Sequence, residues 1–411
     1  MRIPSKLPSL NMKLDFGLGR GGSIVGLDIQ PGFVAAVQAR VNGSIVAERA
    51  ATMPLEAGTV REGEVIDQEA LAEVLRELFR ESGLSKTVRI GIANQRTVLR
   101  TLELPPVTDG KELAAAVQFQ AQEQVPMPLN NAVLDFHPLG IVDTPAGPRQ
   151  RVVLVAAQRD MVERLLGAVS QAGLSAHGVD LSAFALIRSL YRPDPAPTEE
   201  PVRVLYLNVD GLTNLAIAEG TVCRFTRVVG GGLESMAAEL AERRGVTLPE
   251  ARAALARADL AGGQPEGFDA PTVEASVESP AHTEHGGAHE LDEVPDEEIG
   301  AAYEELLAAD DGDVAEDTDV WTVLESGIRE IYGEVRNSLD FHRSQDGGGD
   351  VSHIVLSGSA QDIPGFADAL QSALGLEVRS EEVEFAGSVP DGVSPHRLAV
   401  ATGLAAVEVA R

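Results

Sequence analysis

Lysine is almost missing from this 411-residue chain: Lys6, Lys13, Lys86 and Lys111 are the only ones. Cysteine is rarer still, and the single Cys223 excludes an internal disulfide framework. Aromatic residues make up 4% of the chain, with Trp321 the one tryptophan. No apolar run reaches the roughly 18 residues that a membrane-spanning helix needs. Positive charge is also short, and the formal net charge is −30. A surface so acidic argues against nucleic-acid binding, which needs cations to displace counterions from phosphate. The segment Met1 to Arg20 has no continuous apolar stretch and no small-residue cleavage site, so it does not read as a signal peptide. Together these absences predict a cytoplasmic protein.

What is present suits a globular chain with room for two or more domains: 44% of the residues are apolar. The negative charge is uneven. From Asp259 to Asp319 there are 20 Asp or Glu and no Lys or Arg, which leaves an ordinary balance of about −10 elsewhere. That segment is polar and rich in Pro and Gly, and self-repulsion predicts disorder over 259–319. Within it, Ile299, Tyr303, Leu306 and Leu307 fall on one helical face, so the segment is either a solubility spacer or a short docking motif. His282, His285 and His289 also lie there, at a spacing suited at most to loose divalent metal binding.

The remainder alternates strand and helix signals. Ile24–Ile29 and Gly32–Arg40 read as a hairpin turning at Gln30-Pro31-Gly32, with a third strand after Asn42-Gly43. Leu71, Val74, Leu75, Leu78 and Phe79 share one face of a helix capped by Asp67 and stopped by Gly83. Strands are predicted at 88–93, 98–104, 133–139 and 151–157, and helices at 109–124 and 160–172. The proline-rich stretch 193–201 is the best internal boundary. After it, Val202–Val209 restarts the pattern and ends in Asn208-Val209-Asp210-Gly211, much as the first strand ends in Asp28. Gly230-Gly231-Gly232 reads equally as a place of close ligand approach or as a strand-to-helix turn. A long helix at 320–341, a strand at 353–356, a helix at 365–374 and a final helix at 396–409 complete the chain.

Seven stretches carry a resemblance. They are Val25–Ile29 (VGLDI), Thr101–Val107 (TLELPPV), Gln118–Leu129 (QFQAQEQVPMPL), Val133–Phe136 (VLDF), Val179–Leu186 (VDLSAFAL), Glu334–Phe341 (EVRNSLDF) and Ile354–Ser359 (IVLSGS). In this order the chain resembles the PilM family of type IV pilus assembly proteins, within the actin-like, FtsA-like ATPase superfamily. The resemblance implies an α/β, bilobal actin-like fold, a ribonuclease H-like unit duplicated, with a small α+β subdomain inserted and a disordered acidic insertion. The implied domains are a flexible tail at 1–22, a first lobe at 23–192 holding a partner-binding subdomain over about 55–130, a linker at 193–201 and a second lobe at 202–411.

The resemblance further implies a groove beside the subdomain that takes the N-terminal cytoplasmic peptide of a PilN-like inner-membrane protein. The matching residues are Leu104, Pro105, Phe119, Glu123, Val125, Pro126, Met127 and Pro128. Phe119, Val125, Met127 and Leu129 have core packing as their competing role. An ATP site would draw on Asp28, Gln30, Gly32, Asn208, Asp210, Gly211, Thr213, Gly230, Gly231, Ser357, Gly358 and Ser359, with Asp28 toward Mg²⁺. The loops depart from the family pattern. Gln30 and Pro31 stand in the first loop, and proline has no N–H for a phosphate. Ala35 or Ala36 stands where a lysine is usual. Asn208 replaces an acid, Asp210 adds one facing phosphate, and Ser359-Ala360 adds side chains where adenine would approach. These departures predict weak or degenerate ATP binding and weigh against catalysis. The expected function is that of an adaptor in the pilus inner-membrane platform, held at the membrane by its partner and coupled indirectly to motor ATPases. The alternatives are an ATP-binding actin-fold enzyme and a type II secretion or cell-division scaffold.

Overall fold

The computed structural model describes residues 24–42, 44–145, 147–193, 202–261, 311–345, 347–390 and 393–406, with side chains from 318 onward in the segment that begins at 311. The expected tail, nearly all of the linker, the three clustered histidines and the Ile299–Leu307 stripe lie outside these residues.

The first lobe opens with β1 (Val25–Gln30), β2 (Phe33–Asn42) and β3 (Ser44–Pro54), an antiparallel meander. A short ribbon follows, β4 (Val60–Arg61) with β5 (Glu64–Val65). Helix α1 (Gln68–Ser82) forms where Asp67 Oδ1 accepts the N–H groups of Glu69 and Ala70, each at 3.0 Å. Such a cap stabilises a helix by about 1 kcal/mol. The α1 stripe of Leu71, Leu75, Leu78 and Phe79 is buried, as its 3.6-residue period requires. Strand β6 (Thr87–Ile92) then lies parallel to β1.

A small subdomain interrupts the lobe. It consists of β7 (Val98–Leu104), α2 (Gly110–Gln124), β8 (Ala132–Thr144) and β9 (Gly147–Gln158), with sheet order β7-β9-β8. The sequence-based range of about 55–130 therefore differs from the observed unit at 98–158. Residues 55–97 place α1 and β6 in the main lobe, and β9 supplies a wall of the small core. The alternation of β9 couples the two units. Val152, Leu154 and Ala156 face the small core with Leu102, Leu113 and Val117, while Val153, Val155 and Ala157 face the main core. The first lobe continues with α3 (Arg159–Gln171), β10 (Ser175–Leu181) and α4 (Ser182–Leu190).

The second lobe repeats the plan with β11 (Arg203–Val209), β12 (Thr213–Glu219) and β13 (Val222–Val229), then α5 (Leu233–Arg244) and α6 (Leu248–Arg257). Helix α7 (Asp311–Ser344) buries Val323, Leu324, Ile331 and Val335. Strand β14 (His353–Ser357), helix α8 (Phe366–Leu374) and strand β15 (Val378–Ser380) complete the sheet β13-β12-β11-β14-β15. In the first sheet, β3-β2-β1-β6-β10 has the same sequence of antiparallel meander and parallel neighbours. The duplication read from the two loop-bounded strands is therefore a duplication of topology.

The end of the described chain crosses back. Strand β16 (Glu384–Phe385) pairs with β3, and α9 (Ala399–Ala405) packs on α4, β1 and β6. The stretch predicted as the end of the second lobe thus completes the first. Small residues permit it: a Cβ placed on Gly26 would lie 1.8 Å from the Ala401 carbonyl oxygen. The helix predicted at 396–409 is a 3-10 turn at Pro395–Leu398 followed by α9.

Candidate functional site

The β1–β2 turn and the β11–β12 turn occupy equivalent corners of the two sheets, and they meet. A Cβ on Gly211 would stand 2.2 Å from the Pro31 carbonyl oxygen, so only glycine lets these backbones touch. The loop after β14 presses on the same place. Gly358 has φ +94°, and a Cβ there would stand 2.3 Å from the Val209 carbonyl oxygen. Three loops from two lobes thus converge without an intervening gap.

Side chains fill the junction. Gln30 Nε2 donates to Asp28 Oδ1 at 3.2 Å and Oδ2 at 3.4 Å. Asn208 Nδ2 donates to Asp210 Oδ2 at 3.5 Å, and Ser357 Oγ donates to Asn208 Oδ1 at 3.1 Å. The Ser359 N–H and hydroxyl both donate to Asp210 Oδ1, at 3.0 and 2.5 Å. Arg397 Nε lies 3.6 Å from the same oxygen, and its guanidinium stacks over the Phe33 ring 4.6 Å from the centroid. Asp28 and Asp210, one from each lobe, are 2% and 1% exposed. Burial raises the Asp28 carboxyl to about 7; the Asp210 charge adds to this, and the Gln30 hydrogen bond opposes it. Asp210 is raised too, by burial, against the pull of Arg397 and Ser359. At neutral pH the buried Asp28 carboxyl therefore retains proton occupancy that an ordinary aspartate loses.

Beside the junction lies a cavity of about 420 Å³ lined by residues that include Gly32, Phe33, Met53, Glu234, Arg252 and Arg397. Arg252 holds Glu234 from both ends of its guanidinium edge, Nε to Oε2 at 2.8 Å and Nη2 to Oε1 at 2.5 Å. Its far side is braced by His396, whose Nδ1 meets Asp362 Oδ1 at 2.6 Å and whose Nε2 meets Glu382 Oε1 at 2.9 Å. The hydrogen bond to Asp362 raises the His396 imidazole above its usual range.

Of the predicted nucleotide-site residues, Asp28, Gln30, Gly32, Asn208, Asp210, Gly211, Ser357, Gly358 and Ser359 come together here. Thr213 is buried in β12 beside them, with its hydroxyl lacking a hydrogen-bond partner, as is Gln30 Oε1. Gly230 and Gly231 run between Val229, paired with Thr213, and Gly232, which abuts the Asp210 and Gly211 carbonyls, but an added Cβ on them would point toward Gln95 and Glu330. Arg397, Phe33, Glu234, Arg252 and Asp362 were not singled out from the sequence. They are 18 to several hundred positions from one another by no recurring spacing, and only the fold assembles them.

The predicted partner residues divide by environment. Leu104 and Val125 belong to the buried core of the small subdomain, and Met127 packs on its edge. Pro105, Glu123, Pro126 and Pro128 are exposed, and Phe119 is 68% exposed on α2. The opposite face of α2 buries Leu113, Val117 and Ala121. Leu129, whose competing role was also core packing, packs against that core. Cys223 is buried, and burial pushes its thiol up to about 12. Among the described residues no cluster of three His, Cys, Asp or Glu is placed to hold a metal, and no helix is long and apolar enough to cross a membrane.

Comparison with known proteins follows the same lines. A solved structure described as a PilM-PilN type IV pilus biogenesis complex is 21% identical, with a TM-score of 0.64 over 93% of this chain and 98% of that one. The ethanolamine utilization protein EutJ of Carboxydothermus hydrogenoformans is 15% identical over 94% of this chain and 89% of its own, with a TM-score of 0.46. MreB5 of Spiroplasma citri bound to ADP is 11% identical over 92% of this chain and 94% of its own, at 0.45. The fold is actin-like. The family model described as type IV pilus assembly protein PilM matches residues 26–277, more than half of the chain, and the chain therefore belongs to the PilM family of type IV pilus assembly proteins.

Proposed function

We propose that this chain is an adaptor of the type IV pilus inner-membrane platform whose small subdomain docks the N-terminal cytoplasmic peptide of a PilN-like membrane protein. The observation that carries this reading is Phe119. It is a large aromatic side chain left 68% exposed on a helix whose other face buries Leu113, Val117 and Ala121, and Pro105, Glu123, Pro126 and Pro128 of the same subdomain are exposed as well. The similar solved structure is of a PilM–PilN complex, which supports a partner of that kind. Exposed prolines stiffen the segments that flank this helix, so less ordering opposes binding of an extended peptide. Because β9 faces both cores, a load on this subdomain passes directly into the main lobe, as an adaptor requires. Through its partner the protein sits at the inner face of the cytoplasmic membrane, and its coupling to motor ATPases is indirect.

The cleft is read as a degenerate nucleotide site. The paired carboxyls, Pro31 without an N–H, and the direct contact of Pro31 with Gly211 do not suit a Mg²⁺-triphosphate between the loops. The unpartnered Gln30 Oε1 and Thr213 hydroxyl mark the inherited polar site. The junction instead works as the contact between the lobes.

Fluorescence anisotropy with the partner's labelled cytoplasmic peptide tests the adaptor reading. Phe119→Ala is expected to weaken binding by about 2 kcal/mol, roughly 30-fold, as for an aromatic anchor. Absence of binding by the folded protein, or equal affinity of the variant, refutes it. Titration with Mg-ATP tests the second reading, and saturable micromolar binding would overturn degeneracy.

A further inference from the structure

A second cavity, of about 460 Å³, lies between the lobes and shares no lining residue with the cavity beside Arg252. Its volume is within the range of small-molecule sites, about 300–1,000 Å³. Thr97 and Ile92 line it from the first lobe, and Asn214, Val229, Arg227 and Glu334 from the second. Most of its polar groups are already engaged. Asn94 Nδ2 donates to the Glu62 carbonyl at 2.6 Å and its Oδ1 accepts the Arg96 N–H at 2.7 Å. Thr226 Oγ1 donates to the Leu215 carbonyl at 2.9 Å. Arg227 Nη2 and Glu334 Oε2 are paired at 2.8 Å, so the lining carries no unmatched charge.

Three buried lining atoms lack a hydrogen bond, and one of them, Glu334 Oε2, has the Arg227 ion pair instead. Asn214 is 2% exposed, and its Oδ1 has no hydrogen-bond partner; the buried Thr97 Oγ1 has none either. Each incurs the desolvation penalty of an unmade hydrogen bond. One atom comes from each lobe; Asn214 Oδ1 accepts and the Thr97 hydroxyl both donates and accepts, so they call for a ligand whose own groups do both, as hydroxyls do. With Arg227 and Glu334 paired, the lining offers no net charge to draw in a cation or an anion. Ile92 and Val229, 5% and 8% exposed, supply apolar walls for C–H surface.

From this lining we infer that the cavity binds an uncharged polyhydroxylated small molecule, a monosaccharide or a linear polyol, whose hydroxyls donate to Asn214 Oδ1 and Thr97 Oγ1 and so bridge the lobes.

Saturation-transfer NMR on the full chain tests this, with D-glucose and sorbitol as probes and butylamine and acetate as charged comparators. Polyols stabilise proteins nonspecifically by exclusion, so a binding signal is the required readout rather than a melting temperature. The expected result is saturable binding of at least one polyol, weakened tenfold or more by Asn214→Leu. Thr97→Val, on the other lobe and nearly isosteric, is expected to weaken it several-fold, and it decides the matter alone if the first variant does not fold. The inference is overturned by no saturation up to about 100 mM, a hundredfold above a millimolar Kd. It is also overturned by unchanged affinity in a folded variant, or by tighter binding of butylamine or acetate.

Discussion

Replacing Asp28 by Asn should stabilise the protein, and increasingly so as pH rises. The Asp28 carboxyl is raised from 3.8 to about 7, first by burial and then by Asp210 across the lobe contact. An acid whose folded-state value is raised holds its proton more tightly when folded. The penalty is therefore absent below pH 3.8, grows between 3.8 and about 7, and is complete above that. The displacement corresponds to about 4 kcal/mol at pH 8 and about 2 kcal/mol at pH 5.5, taken as ceilings. Asn keeps an acceptor for Gln30 Nε2, now at 3.2 Å from Asp28 Oδ1, and brings an N–H for the unpartnered Gln30 Oε1. Urea unfolding of both proteins at pH 5.5 and 8 measures the gap. The expected result is a more stable variant at pH 8 with a smaller advantage at pH 5.5. A variant equally or less stable at pH 8, or a gap that does not change with pH, refutes the account of an Asp28 carboxyl raised by burial.

Other perturbations follow from the same contacts. His396 is raised by its hydrogen bond to Asp362, so its contribution is full below the ordinary value of 6.5 and is lost as pH climbs through the raised value. Amide exchange around 395–398 should quicken with rising pH beyond the intrinsic rate in the native protein, and His396→Gln should abolish that dependence. Leu154→Ala empties a 1%-exposed position in the small core, and about 2–5 kcal/mol should be lost in chemical denaturation. Because β9 is shared, hydrogen exchange should rise in the main-lobe strand as well. Cys223, buried with its thiol pushed up to about 12, should resist a thiol reagent in the folded protein at pH 8 and react on unfolding.

The helices α1 and α7 were legible because a 3.6-residue apolar stripe and the Asp67 cap are local signals, and the structure buries those stripes. Strands β1 and β11 were legible because each apolar run stops at a polar turn. The small subdomain was placed too early because β8 and β9 contribute through cross-strand pairs such as Phe136 with Leu154, which no local window shows. The exposed Phe119 and the buried Val125 carry the same apolar signal, and only packing separates them.

By itself the sequence determined the duplicated hairpins, the acidic segment, the family and the identity of every group at the junction. The tertiary structure alone decided that Pro31 rests on Gly211, that Arg397 reaches Asp210, and that the chain returns through β16 and α9 to the first lobe. The physical reason is range. Propensity, capping and periodicity act within a few residues, whereas burial and the electrostatics of Asp28 facing Asp210 arise only between groups that folding brings together.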